Sequence, residues 1–202
     1  MTTTLRRRND RITIVKYTHA NLIVAGQKDL GLAEVSGRVS DKRILAMLTR
    51  HNPWVKDDQT PWCAAWMAEI CWQCGFDYSR TLRARHFLRV GFGMRVPERL
   101  YDQYHDYIED CAVNGRGVIA VITRGGRNEP GADVLDHRGH VGIYLGMTEH
   151  HVFLLGGNQG NKVSVRPYSR SRLLGLRYPT LARQEHTRES LLRPRPEWHG
   201  PA

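Results

Sequence analysis

Residues 60 to 75, Thr-Pro-Trp-Cys-Ala-Ala-Trp-Met-Ala-Glu-Ile-Cys-Trp-Gln-Cys-Gly, constrain this chain more than any other stretch. Thr60 suits a helix N-cap, Pro61 the first helical position, and Gly75 a C-terminal stop. Between them only Glu69 and Gln73 are polar. A helix apolar nearly all round has to be buried on every side, so the rest of the chain must wrap around it. Cys63 falls in its first turn, where free backbone N–H groups and the helix dipole favour a thiolate and can hold an oxyanion. Cys71 and Cys74 lie deeper, where neither benefit exists, and read as small core residues.

The surrounding pattern gives the fold class. Residues 1–17 are basic and then β-like, the stretch 20–35 reads as helical, and Ser40 or Asp41 caps a short helix ending at His51. A second helical run, TLRARHFLRVG, follows the cysteine helix, and PERLYDQYHDYIEDCAVNG has apolar residues at helical spacing. After Gly117 the periodicity changes. GVIAVIT is a strand, HVGIYLG and HVFLLGGNQ form a hairpin around residues 147–150, and NKVSVRPYS and LLGLRYP extend the sheet. Helices first and an antiparallel sheet second make an α+β protein. The divisions expected are a basic N-terminal arm over 1–29, one domain over 30–183, and a Pro- and charge-rich tail over 184–202.

Thirty Lys and Arg against twenty Asp and Glu leave a net charge of +10, which favours anionic partners such as wall or envelope polymers. A solvated basic surface accounts for the same excess. No RNP, zinc-finger or P-loop pattern is present, so nucleic acid is not the expected partner. No apolar run reaches the length of a membrane span, and the basic N-terminus is not followed by a signal-peptide core. The expectation is a chain made in the cytosol and delivered by something other than its own leader.

Four cysteines are too few for a disulfide scaffold, and Cys71-x-x-Cys74 has no second ligand pair at zinc spacing. Asp133, Asp136, His137 and His140 offer a rival metal site, but a loop does not fix their geometry. Asp57 and Asp58 are too few for a calcium loop. Neither a metal nor a cofactor is expected. A Cys63 nucleophile needs a base, and a hairpin symmetric about residue 149 sets His140 opposite Asn158, a carboxamide suited to orient the ring.

DDQTPWCAAWMAEICWQCG, ARHFLRVG, GHVGIYLG, LLGGNQGNKVSV and LLGLRYP together resemble the NlpC/P60–CHAP superfamily of papain-like peptidoglycan hydrolases, in particular the small CHAP-like type of phage genomes. The resemblance covers roughly residues 30 to 182. It implies a papain-like fold, with the nucleophile helix packed on an antiparallel sheet, and a cysteine endopeptidase or amidase cutting the peptide part of peptidoglycan. Cys63 would be the nucleophile, His140 the base and Asn158 the orienting residue, with Gln159 as the substitute for Asn158. Trp62, Asp58, Gln159 and Tyr144 are the substrate-binding candidates. Delivery through a holin, a virion, lysis or a secretion system would take the protein to the wall, and a secreted effector would come with an immunity protein.

Two departures stand out. The usual Pro-Gly-Asp entry to the first core strand is missing, and a helix over 97–111 and a loop over 124–138 look inserted. The reading from another class is a non-catalytic basic module that binds wall or nucleic acid. An acyltransferase on a permuted relative is disfavoured because the cysteine precedes the histidine.

Overall fold

The structure is a computed structural model that describes residues 21–35, 37, 40–94, 115–125 and 128–182. The expected N-terminal strand, the helix over 97–111 with Cys111, and the tail lie outside the described residues.

Three α-helices precede most of the sheet: α1 (Leu22–Gln27), α2 (Lys42–His51) and α3 (Cys63–Gln73). Asn21 caps α1 by accepting from the Ile23 N–H at 2.8 Å, and Asp41 caps α2 by accepting from Arg43 and Ile44, each at 2.9 Å. Helix α3 ends as expected. The Phe76 N–H reaches the Cys71 carbonyl at 2.8 Å, and the Gly75 N–H reaches that of Trp72 at 3.0 Å. This closure turns Gly75 to φ +73°, a conformation glycine adopts without strain. Its start differs from the expectation. Trp62, not Thr60, is the N-cap residue, with no side-chain cap, and helical geometry begins at Cys63 itself.

Six strands form one antiparallel sheet: β1 (Phe92–Met94), β2 (Ile119–Thr123), β3 (Gly139–Met147), β4 (His151–Gly156), β5 (Ser164–Ser169) and β6 (Leu173–Tyr178). Their spatial order is β1-β6-β2-β3-β4-β5. The α+β class therefore holds. The run TLRARHFLRVG forms a 3-10 helix, Ala84–Arg89, rather than a regular α-helix.

Helices α1 and α3 pack on one face of this sheet, and α2 packs against α3. Ala64, Ala65, Trp66, Met67 and Ala68 of α3 are nearly inaccessible, and they join Ile119, Val121, Val141, Ile143 and Leu155 of the sheet in the main core. Each large apolar side chain removed from water there contributes roughly 1.5–3 kcal/mol. Leu22, within the 1–29 stretch expected as a basic arm, belongs to this core, and Ile23 and Ala25 pack against it. Leu22 is fully buried, and a Cβ on Gly26 would come within 2.7 Å of Ile143, so α1 lies directly on the sheet. The opposite sheet face carries a second cluster that includes Val118, Ala120, Ile122, Tyr144, Val152, Leu154 and Leu176.

Candidate active site

Cys63 is the first residue of α3, so its own N–H and that of Ala64 are among the helix's free donors, and both face the sulfur. A third donor comes from the sheet, the N–H of Val141 on β3. The ladder explains why that group is free. The Tyr144 N–H points to β2, 2.8 Å from the Val118 carbonyl, so the N–H groups of Ile143 and Val141 point toward β4. Pairing of β3 with β4 stops at Ile143–Leu155, and the sulfur takes the place a strand would have filled.

Burial pushes the Cys63 thiol above its usual range, although the Arg124 charge and the three N–H groups act against it. The helix start therefore does not yield a resting thiolate, because only 3% of Cys63 is exposed and the cost of desolvating a charge wins. Cys71 is raised further, well above its ordinary value, by burial and by its neighbours Cys74 and Asp77.

His140 is the second residue of β3 and directly precedes Val141, whose N–H faces the Cys63 sulfur. Its Nε2 lies 3.1 Å from Gln159 Oε1. The Gln159 amide is itself fixed at both ends. Its Oε1 also accepts from the Tyr168 hydroxyl at 2.8 Å, and its Nε2 donates to the carbonyls of Leu154, at 3.3 Å, and Ser164. An amide held this way presents only its oxygen to the ring. The network therefore assigns the proton to Nε2 and leaves Nδ1 as the basic nitrogen. Burial, helped by Arg124 and Arg172 and opposed by the Gln159 hydrogen bond, lowers the His140 pKa to about 4. At neutral pH the pair rests as thiol and neutral imidazole.

The side chain hydrogen-bonded to His140 is thus that of Gln159, the substitute for Asn158. Register alone favours Asn158, but β4 ends at Gly156 and the chain then turns sharply. Asn158 takes φ +56° and Gly160 φ +70° in that turn. Gln159 between them is swung inward to 2% exposure, whereas Asn158 is half-buried and makes no side-chain hydrogen bond among the described residues. Both preceding glycines sit in close quarters. A Cβ on Gly156 would sit 3.1 Å from His140 Nε2, and one on Gly157 would sit 2.7 Å from both Trp62 and Trp66.

Three expected substrate-binding residues are placed elsewhere. Trp62 is buried and donates from Nε1 to Glu34 at 2.7 Å. Asp58 is buried under the start of α2, accepting from the Asp41 N–H at 2.8 Å and from Gln59 Nε2 at 3.2 Å. Tyr144 is fully buried in the second apolar cluster. The possible metal donors of the loop are also dispersed. Asp136 meets Arg83 at 2.8 Å and His86 at 3.3 Å, His137 meets Glu129 at 3.0 Å, and His140 turns to Gln159.

Tyr168 was not among the sequence candidates. Its ring centroid lies 5.6 Å from that of His140 at a 42° tilt. Arg172 lies over the Tyr168 ring at 5.0 Å and donates from Nε and Nη2 to the Thr123 carbonyl, at 3.1 and 2.6 Å. The available signal was alternation along β5, which places Tyr168 and Arg166 on one sheet face, opposite Val152 and Leu154.

No protein-family model, curated protein or solved structure matches the chain. Among the described residues, no helix is long and apolar enough to cross a membrane.

Proposed function

We propose that the protein is a papain-like cysteine hydrolase that cuts amide bonds in the peptide part of peptidoglycan, as an endopeptidase or amidase of the lysin kind. What supports the reading is the Cys63 sulfur against the Val141 N–H, with His140 the residue before Val141 on β3 and Gln159 hydrogen-bonded to its ring. The resemblance in sequence supplies the substrate. The net charge of +10 suits an anionic envelope.

In this mechanism Nδ1 of His140 accepts the Cys63 proton as the sulfur attacks the amide carbonyl. The resulting oxyanion is held by N–H groups at the start of α3. The imidazolium then protonates the leaving amine, the C–N bond breaks, and a thioester remains on Cys63. Water, deprotonated by His140, attacks the thioester, releasing the acid and restoring the thiol. Because the resting pair is neutral, proton transfer belongs to the attack step.

A peptidyl vinyl sulfone built on a wall stem peptide tests this reading. It is expected to add once, at Cys63, as read by intact mass and peptide mapping. The burial of both Cys63 and His140 favours a second reading, a non-catalytic basic module that retains the fold. That reading expects no addition at Cys63.

A further inference from the structure

The chemistry proposed above uses Cys63, His140 and Gln159 and leaves a group of arginines beside them without a role. Arg124 follows the last residue of β2, and Thr123 and Ile122 there pair with Gly139 and His140. Its charge reaches Cys63, His140 and Tyr168. Arg172 is tied to the Thr123 carbonyl and lies over Tyr168, and its Nη1 makes none of those bonds. Arg166 completes the group from β5. Its Nη2 lies so near the Gln159 turn that a Cβ on Gly160 would come within 2.7 Å of it. Among the described residues no carboxylate forms an ion pair with any of the three. Arg124 and Arg172 both hinder protonation of His140, and Arg124 and Arg166 are exposed, so their guanidinium groups are open to a ligand arriving from solvent.

We infer that Arg124, Arg172 and Arg166 form an anion subsite that holds a free carboxylate of the substrate next to the amide bond being cut. The inference rests on the hydrolase reading and names its substrate class: acidic peptides, in which a residue flanking the scissile amide keeps a free carboxylate. Guanidinium groups suit that ligand, because their planar N–H pairs match a carboxylate's two oxygens. A bound carboxylate would offset the charges of Arg124 and Arg172, which lower the basicity of His140. The acidic substrate would thereby raise the ring's readiness to take the Cys63 proton, which an uncharged analogue would not do.

Two stem peptides that differ only in a free carboxylate or a carboxamide beside the scissile bond test the subsite. Their binding to the full-length Cys63→Ala variant is measured by calorimetry, which needs no turnover. The carboxylate peptide is expected to bind roughly tenfold tighter or more. Adding Arg124→Gln or Arg172→Gln should remove that difference. Arg89→Gln takes away the same charge on an exposed part of the 3-10 helix and should preserve it. Because Arg172 also holds the Thr123 carbonyl, Arg124→Gln, which breaks no hydrogen bond among the described residues, is the decisive variant if Arg172→Gln does not fold. Equal binding of the two peptides overturns the subsite, as does a preference that survives Arg124→Gln or disappears in Arg89→Gln. Turnover of the same peptides by wild type reads the hydrolase separately: a preference in binding without cleavage would keep the subsite and discard the hydrolase.

Discussion

His140 and Gln159 are joined by a single hydrogen bond, Nε2 to Oε1 at 3.1 Å, and that bond fixes which ring nitrogen can act as a base. The residue one position earlier, Asn158, has the same functional group but makes no side-chain hydrogen bond among the described residues. Gln159→Ala should therefore lower kcat by roughly 10²-fold, while Asn158→Ala should leave it little changed. Asn158→Ala should instead cost about 1 kcal/mol of stability, because its φ of +56° suits Asn or Gly better than Ala. Steady-state kinetics and urea unfolding of the two variants separate the roles. A larger kinetic loss in Asn158→Ala would reverse the assignment.

Gln159→Glu gives a directional test of the same bond. A carboxylate facing the ring favours the imidazolium, so the acid limb of the activity profile should move up from about pH 4, the wild-type His140 value. No movement of that limb would mean that residue 159 does not face the base.

The depressed His140 pKa also predicts how stability varies with pH. The folded protein holds the ring neutral down to about pH 4, whereas an unfolded histidine takes up its proton near pH 6.5. Between those values the unfolded state binds more protons, so stability rises with pH. The contribution is complete above about pH 6.5 and is lost as pH falls toward 4, roughly 3 kcal/mol in all. Urea unfolding at pH 4.5 and 7.5 should show a smaller loss in His140→Gln than in wild type. Equal losses would contradict a ring buried in its neutral form.

Arg85 should be the most damaging charged residue to replace outside the site. Its fully buried side chain donates to the carbonyls of Arg138, Pro130, Gly131 and Val134, at 2.9 to 3.1 Å, and pairs with Glu129 at 3.1 Å. It therefore ties down the loop that leads into His140. Arg85→Ala should cost about 3–5 kcal/mol, and Arg85→Lys should not recover it, because an ammonium lacks the planar fork of donors. Thermal unfolding of both variants checks this, and recovery by lysine would contradict it.

Asp58, expected from sequence to touch substrate, should behave as a structural residue. Removing its carboxylate leaves the half-buried Asp41 N–H without its partner, so Asp58→Ala should cost about 1 kcal/mol. KM should hold near its wild-type value at a temperature where the variant is folded. A large rise in KM without loss of stability would return Asp58 to the substrate.

The sequence patterns that proved legible are those with strong local periodicity or chemistry. The apolar face-to-face run of α3, the Gly75 stop and the Asp41 cap are all local, and each is found where the residues place it. The hairpin register was legible as well. Beyond a bulge between Tyr144 and Gly146, Ile143 faces Leu155 as symmetry about residue 149 requires. What failed depends on structure past the ends of these elements. Asn158 lost its expected place because pairing stops at Ile143–Leu155 and a turn with three left-handed residues, Asn158, Gly160 and Asn161, then swings Gln159 inward. Thr60 lost the cap because the chain becomes helical only at Cys63. Tyr168 and Arg124 reach the site through the strand order, which places β2 and β4 on either side of β3 and β5 beyond β4, and no local pattern announces that order.

The most direct test of the account is digestion of purified peptidoglycan sacculi by wild type and by Cys63→Ala, with the released fragments read by mass spectrometry. Peptide-containing fragments are expected from wild type alone, each with a new amino terminus or a new carboxyl group at one type of amide bond. Folded wild type that releases nothing from sacculi of several wall chemistries, or Cys63→Ala that releases the same fragments, would contradict it.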